Sequence, residues 1–178
     1  KSFTLKMIYD ETSDRLLGLQ AAGGGDICRR IDVFSSFLLN KAKINDLLDF
    51  EQGYAPPFAE AIDPLYHLGT MAQAQKRGLS FLKPGKTDIN GNVLWLDVRE
   101  IDEVAEDPWV LSEEKKEKHY LNIPLNDLRD NLEKLKGFDK ITIVCRRGPR
   151  SYQAAIILND AGFNNVSILA GGTQATSA

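Results

Sequence analysis

The sequence lacks long apolar runs and has few of the residues that build disulfide frameworks or metal sites. No apolar segment approaches the roughly 18 residues that a membrane-spanning helix needs, and no signal peptide precedes the first strand. Its 178 residues include only two cysteines and two histidines, none at a metal-ligand spacing. Two cysteines far apart in the chain fit a reducing compartment better than a disulfide scaffold, and we expect a cytoplasmic protein with no metal and no membrane partner.

An excess of positive charge is also missing. The net charge is −3 and the sequence pI is about 5.5, which argues against a nucleic-acid partner. Acidic and basic side chains alternate over residues 111–118, a pattern typical of a solvated helix. The length allows two small domains, and because the chain begins with Lys1 and not Met, we expect a fragment of a longer protein.

One segment joins a strand to a cysteine that we expect to be reactive. The β-branched residues 141–144 predict a buried strand, and residues 152–158 predict a helix that ends at Gly162. Cys145 therefore lies in a strand-to-helix turn, where unpaired backbone N–H groups and the helix dipole favour a thiolate. The same turn carries three arginines, Arg146, Arg147 and Arg150.

Two other interpretations of Cys145 were weighed. A free cysteine is often a structural, buried residue, but a cysteine framed by arginines and a Gly-Pro loop is a poor core residue. In a cysteine phosphatase or arsenate reductase, five residues separate the cysteine from an arginine, whereas Arg150 follows Cys145 after four. The tighter loop favours a sulfur atom over a phosphoryl group. Cys28, in the first turn of another predicted helix, is interpreted as structural.

The second half of the chain resembles rhodanese-type sulfurtransferases over about residues 88 to 172. The motif Cys-x-x-Gly-x-Arg-Ser begins at Cys145, and the family's Asp-Val-Arg-Glu signature occurs within residues 93–100. Three further matches follow in the family's order, at residues 122–125, 160–166 and 169–172. One departure affects the rim of the substrate site, because residues 117–122 replace the usual Gly-His-Ile-Pro-Gly-Ala segment.

This resemblance implies that Cys145 accepts a sulfane sulfur as a persulfide and passes it to an acceptor thiol. We expect the substrate-binding residues to lie in the same loop, namely Arg146, Arg147, Gly148, Arg150 and Ser151. The arginines would orient an anionic donor such as thiosulfate or a coenzyme A persulfide, and Ser151 would cap the helix. Asp97 and Arg99 would brace the loop from a neighbouring strand.

The first half of the chain predicts a hairpin followed by helices. Alternating apolar residues over 3–9 and a second apolar run over 16–22 predict its two strands. The glycines at 23–25 lack a dinucleotide-binding spacing and are interpreted as a turn into a helix capped by Asp26. A short helix is expected near residues 45–50. A further helix begins after Asp63, contains a surface or packing His67 and ends at Gly78.

The order of several short motifs in this half resembles a dimerisation domain of flavin-dependent pyridine nucleotide–disulfide oxidoreductases. The motifs lie at residues 18–21, 25–26, 30–32, 54–58 and 63–64, and the most specific is Tyr-Ala-Pro-Pro-Phe at 54–58. The likeness covers about residues 1 to 76 and is to the coenzyme A disulfide reductase and NADH oxidase branch. Some members of that branch carry a C-terminal rhodanese domain, which is the order found here.

Together the two resemblances imply an α/β chain with a small α+β dimerisation domain at residues 1–77, a linker at 78–92 and a rhodanese-like domain at 93–178. That second domain would have a parallel sheet flanked by helices. A homodimer would form through the first domain, near the 27–38 helix or the 54–58 segment. Tyr54 would approach the partner's active site or, alternatively, only stiffen the segment beside its prolines.

The parent protein implied by the resemblance reduces disulfides, persulfides or polysulfides of the coenzyme A type. It would bind FAD and NAD(P)H, while this chain itself would hold no cofactor. An alternative without catalysis is a dimerisation scaffold whose second domain only carries a persulfide to the fused reductase.

Overall fold

A computed structural model describes residues 3–56, 58–59, 61–84, 91–109 and 119–175 of the chain. The chain divides into two compact units, Lys1–Arg77 and Gly78–Ala178. No helix in this part of the chain is long and apolar enough to cross a membrane.

The first unit opens with the predicted hairpin. Strand β1 (Phe3–Tyr9) pairs antiparallel with β2 (Leu16–Gly23), and the register runs from Phe3 opposite Gly23 to Tyr9 opposite Leu16. The turn between them is held by Asp10, whose carboxylate accepts hydrogen bonds from the backbone N–H and the hydroxyl of Ser13. The hairpin prediction is confirmed.

Two helices pack beside the hairpin, α1 (Ile27–Leu39) and α2 (Pro64–Lys76), together with a short 3-10 helix at Ile44–Leu47. The carboxylate of Asp63 accepts a hydrogen bond of 2.9 Å from the Leu65 N–H, which confirms the predicted cap of α2. Asp26 occupies the N-cap position of α1 without a capping bond, because its carboxylate binds Arg29 Nε at 2.7 Å.

The core of this unit includes one residue of the predicted 27–38 helix. Phe34 is buried in a cluster of apolar side chains shared by the hairpin and the helices. It therefore stabilises its own unit, because the 3.6-residue period of α1 turns it toward β2. The cluster consists of Leu16, Phe34, Ala42, Ile44, Leu47, Leu65 and Ala72.

The second unit is built on a five-stranded sheet in which every neighbouring pair is parallel. Its strands are β3 (Ser80–Leu82), β4 (Val93–Asp97), β5 (Tyr120–Asn122), β6 (Lys140–Val144) and β7 (Val166–Leu169). They lie in the order β3-β7-β6-β4-β5. All residues of β4 and β7 are buried, as is usual for parallel strands covered on both faces.

Helices α3 (Ile101–Glu106) and α4 (Pro149–Asp160) and two 3-10 helices, Leu125–Leu135 and Thr173–Ala175, flank the sheet. The mixed α/β architecture with a parallel sheet is as predicted. Helix α4 begins three residues before the predicted start, because Pro149 occupies its first position and needs no N–H partner there. The helix predicted for residues 111–118 lies outside the described residues.

The prediction of a linker at residues 78–92 is wrong for residues 80–82, which form a strand. Ser80–Leu82 forms strand β3, which pairs with residues 167–169 of β7. Two contacts stabilise this short strand. Leu79 is buried next to it, and the Ala170 N–H donates a hydrogen bond of 2.9 Å to the Leu82 carbonyl oxygen. Residues 85–90 of the predicted linker lie outside the described residues.

The register of the central strands brings two chemically important positions to one edge of the sheet. Asp97 at the end of β4 lies opposite Val144 at the end of β6. The residues that follow these strands, including Cys145, therefore meet at the carboxyl edge, where open α/β sheets place their binding sites.

Candidate active site

Cys145 follows β6 directly, and its sulfur is held at the start of α4. The backbone N–H of Gly148 donates a hydrogen bond of 3.0 Å to the Cys145 Sγ. Gly148 is the N-cap of α4 and has φ 126°, a conformation that other residues rarely adopt. The sulfur therefore lies at a helix N-terminus, within reach of a backbone donor.

Cys145 is only 1% exposed. The expectation that it would be a poor core residue is wrong, because a second loop covers the first. The N–H groups of Thr173 and Gln174 donate to the carbonyl oxygens of Cys145 and Arg146, at 2.9 Å and 3.2 Å.

Gly172 allows the loop before Thr173 to pack closely on the cysteine loop. A Cβ atom at Gly172 would lie 2.3 Å from the carbonyl oxygen of Cys145, closer than non-bonded atoms can approach. Its φ of 65° also lies in the left-handed region. The sequence showed two adjacent glycines at this place, but nothing in the pattern indicated that one of them packs on the cysteine loop.

The three arginines of the loop have different surroundings. Arg146 and Arg147 are exposed, and Arg147 Nε donates a hydrogen bond of 3.0 Å to Gln174 Oε1. Arg150 instead binds Glu103 of α3 with both terminal nitrogens, and its Nη2 lies 2.8 Å from Glu103 Oε1. Arg150 thus has a carboxylate partner within the chain, and a shared role of the three arginines in orienting a donor stays a prediction.

Glu103 is the residue of the site that the sequence did not reveal. Its hydrogen bonds from Arg150 lower its pKa to about 2, so this carboxyl is ionised throughout the neutral range. The same bonds raise the pKa of Arg150. Together the two side chains form a nearly neutral pair at the N-terminus of α4.

Ser151 does not cap the helix. Gly148 is the N-cap, and Ser151 falls in the third helical position because α4 begins at Pro149. Its hydroxyl is buried and makes no hydrogen bond with the residues that the structure describes. The capping prediction is wrong for the same reason that the helix start was misplaced.

Asp97 and Arg99 form a buried ion pair beside the loop. Arg99 Nη2 and Nε lie 2.7 Å and 3.0 Å from Asp97 Oδ2, and the Tyr120 hydroxyl donates to that oxygen at 3.0 Å. Burial and the Asp97 carboxylate raise the pKa of Tyr120. Val98 lies between the two residues in sequence, and its N–H donates a hydrogen bond of 2.9 Å to the carbonyl oxygen of Val144, the residue before Cys145. This contact links the pair to the strand that leads to Cys145.

The residues singled out in the first unit have other surroundings. Cys28 is an exposed thiol in α1, and both cysteines are free. Tyr54 is 61% exposed. His67 is exposed on α2, and its ring contacts the ring of Tyr66. Gly23 ends β2 with a φ of 121°, and Gly25 has a φ of 83° in the bend between β2 and α1, which confirms the turn.

Comparison with known proteins shows the following similarities. The model of the Rhodanese-like domain family matches residues 86–178, slightly more than half of the chain. A curated relative, coenzyme A disulfide reductase of Staphylococcus epidermidis, is 35% identical over 69 residues, which are 39% of this chain and 16% of the relative.

Two solved structures resemble nearly the whole chain. An NAD-dependent persulfide reductase from A. fulgidus superposes with a TM-score of 0.82 and 32% identity, over 97% of this chain and 30% of that protein. The reduced CoADR-RHD protein of Bacillus anthracis superposes with a TM-score of 0.81 and 29% identity, over 98% of this chain and 30% of that protein. The chain spans less than a third of either protein. Through its second unit, the chain belongs to the Rhodanese-like domain family.

Proposed function

We propose that the chain transfers sulfane sulfur through a persulfide on Cys145. The observation that carries this proposal is the hydrogen bond from the Gly148 N–H to the Cys145 Sγ, in a loop between a buried strand and a helix N-terminus. Such a loop holds an anionic sulfur in a fixed position and leaves its outer side for a donor.

The reaction consists of two exchanges at sulfur. The Cys145 thiolate attacks the sulfane sulfur of a donor, a new S–S bond forms at Sγ, and the donor's own S–S bond breaks. The donor leaves with the electron pair as a thiolate or, from thiosulfate, as sulfite. An acceptor thiolate then attacks the outer sulfur, and Cys145 leaves as a thiolate, ready for the next cycle.

The exposed arginines Arg146 and Arg147 supply positive charge at the mouth of the loop. They would attract an anionic donor, including the phosphates of a coenzyme A persulfide. Asp97 and Arg99 would keep the end of β4 rigid next to the end of β6. Cys145 is 1% exposed, and this burial fits a slender persulfide or polysulfide end group better than a branched substrate.

We further propose that the chain is part of a flavin- and NAD(P)H-dependent, cytoplasmic reductase of disulfides, persulfides or polysulfides. The similarity of the chain to the persulfide reductase of A. fulgidus and to CoADR-RHD of B. anthracis supports this parentage. FAD and NAD(P)H would bind to parts of the parent protein other than this chain. The order of the two units, one resembling a dimerisation domain, supports a homodimer in which Tyr54 approaches the partner's active site.

A second candidate function is that of a persulfide carrier without turnover. The burial of Cys145 favours it, because a shielded persulfide loses its sulfur slowly to free thiols. A phosphatase has less support, because Arg150, the residue that would bind a phosphoryl group, is already bound by Glu103.

The test is cyanide-dependent formation of thiocyanate from thiosulfate or polysulfide by the purified chain. Cys145→Ser should abolish the reaction, and Cys28→Ser should leave it nearly intact. Repeated turnover would favour the transferase over the carrier, whereas one equivalent of persulfide with negligible turnover would favour the carrier. Loss of activity in Cys28→Ser alone would overturn the site.

A further inference from the structure

Arg150 lies in the first turn after the cysteine loop, yet a carboxylate from a distant part of the chain holds its guanidinium. We propose that Glu103 is a positioning residue that cancels the charge of Arg150 beside Cys145 and so sets which donors the site accepts. Donors with a negative charge next to the sulfane sulfur, such as thiosulfate, are disfavoured. Persulfides of larger thiols, whose charges lie far from the sulfur, are preferred. This inference rests on the proposed function and names its substrate class.

The geometry shows that Glu103 already compensates the charge of Arg150. The two terminal nitrogens of Arg150 donate to the two carboxylate oxygens of Glu103, so the ion pair is bidentate. The side chains of Arg150 and Glu103 are 30% and 28% exposed, so water screens the pair only in part. An incoming oxyanion would therefore meet a guanidinium whose charge is already compensated, with a carboxylate beside it.

Glu103 is itself held in place by α3. Its Oε2 accepts a hydrogen bond of 3.0 Å from the Glu100 N–H, at the first turn of that helix. The helix follows the buried pair of Asp97 and Arg99 at the end of β4. The carboxylate is therefore fixed by the fold before any donor arrives, and it would cost free energy to move it away from Arg150.

The charges around Arg150 define the field at the sulfur. Glu103 and Glu100 act on Arg150 from α3, and Cys145 acts on it from its own loop. Arg150 follows Gly148, whose N–H binds the Cys145 Sγ, by two residues, so its guanidinium contributes to the field that a donor meets at the sulfur. With Glu103 in place this contribution is largely cancelled, and the exposed Arg146 and Arg147 remain to attract charges that lie farther out.

The test compares an anionic and a neutral reagent at the same sulfur. In a Cys28→Ser background, the rates of Cys145 alkylation by iodoacetate and by iodoacetamide are measured. The alkylation ratio is the iodoacetate rate divided by the iodoacetamide rate. The two reagents are nearly the same size, so the burial of the sulfur affects both rates alike. Glu103→Gln should raise the ratio by about threefold or more at low salt, and about 1 M NaCl should remove most of that increase.

Matched variants separate charge from structure. Glu106→Gln makes the same charge change at an exposed position of the same helix and should leave the ratio unchanged. Glu103→Asp keeps the carboxylate and should stay closer to the wild type than Glu103→Gln. Arg150→Gln leaves the carboxylate uncompensated and should lower the ratio by about threefold, which keeps the test decisive if Glu103→Gln does not fold.

A second arm measures donor preference. Glu103→Gln should lower KM for thiosulfate by about threefold or more while KM for glutathione persulfide changes little. An unchanged alkylation ratio in Glu103→Gln and Arg150→Gln would overturn the inference, whatever the sulfur-transfer assay shows. A changed ratio in a chain that transfers no sulfur would support the charge effect of Glu103 and overturn the proposed function instead.

Discussion

Gly172 lies so close to Cys145 that a Cβ atom there would come within 2.3 Å of the cysteine's carbonyl oxygen. Gly172→Ala should therefore push the two loops apart and reduce sulfur transfer by about tenfold or more, because the Gly148 N–H would lose its position at the sulfur. Thiocyanate formation under saturating donor measures the loss.

Gly137→Ala is the control for this substitution. Gly137 also has a positive φ, of 95°, but an added Cβ would meet no atom within 4 Å. Both variants carry the backbone strain of about 1 kcal/mol or more, and only Gly172→Ala carries the clash. Equal loss of activity in the two variants would show that strain, and not contact with the cysteine loop, decides the outcome.

The buried pair of Asp97 and Arg99 predicts a large effect on stability. Asp97→Asn leaves the buried guanidinium of Arg99 without its counter-charge and should lower the free energy of unfolding by about 3 kcal/mol or more. Urea denaturation of the whole chain measures this, with the exposed Asp160→Asn as a control that should change stability by less than about 0.5 kcal/mol. Equal stability of the two variants would contradict the bracing role.

The pair of Glu103 and Arg150 predicts a defined pH dependence of stability. Arg150 lowers the pKa of Glu103 from 4.5 to about 2 in the folded chain, so the pair stabilises the fold fully above pH 4.5. That stabilisation should disappear as the pH falls from 4.5 toward 2. The difference in unfolding free energy between the wild type and Glu103→Gln should thus be constant from pH 5 to 7 and shrink in acid. A difference that grows in acid would contradict this assignment.

The first unit exposes apolar side chains that a partner subunit would cover. Phe58 is 83% exposed and Tyr54 is 61% exposed. If the chain forms a homodimer through this segment, Phe58→Glu should weaken self-association at least tenfold, as measured by sedimentation. Ile101→Ser, at an exposed apolar position of the second unit, is the control and should not alter association. A dimer unaffected by Phe58→Glu would remove this segment from the interface.

The strand and helix around Cys145 were predictable because the signals are local. A run of β-branched residues precedes the cysteine, and glycine and proline mark the turn into α4. Strand β3 was not predicted because its three residues are too few to show an alternation of apolar and polar side chains, and turn-forming residues follow them. The Ser151 cap was misassigned because the helix was predicted to begin after Pro149 and not with it.

The pairing of Glu103 with Arg150 could not be predicted from local patterns. The two residues are 47 positions apart, and they meet only because β4 and β6 are neighbours in register. The contact of Gly172 with the cysteine loop has the same origin, since it depends on β7 lying next to β6. Both contacts belong to the tertiary structure, which local sequence patterns do not describe.

The persulfide on Cys145 is tested most directly by the mass of the peptide that contains this residue. The purified chain is incubated with a sulfane donor, freed of small molecules, digested and analysed by mass spectrometry. We expect one additional sulfur atom on Cys145 and none on Cys28. Cyanide should release the added sulfur quantitatively as thiocyanate. Thiocyanate formation with no added sulfur on Cys145, or with the added sulfur on Cys28, would contradict this expectation.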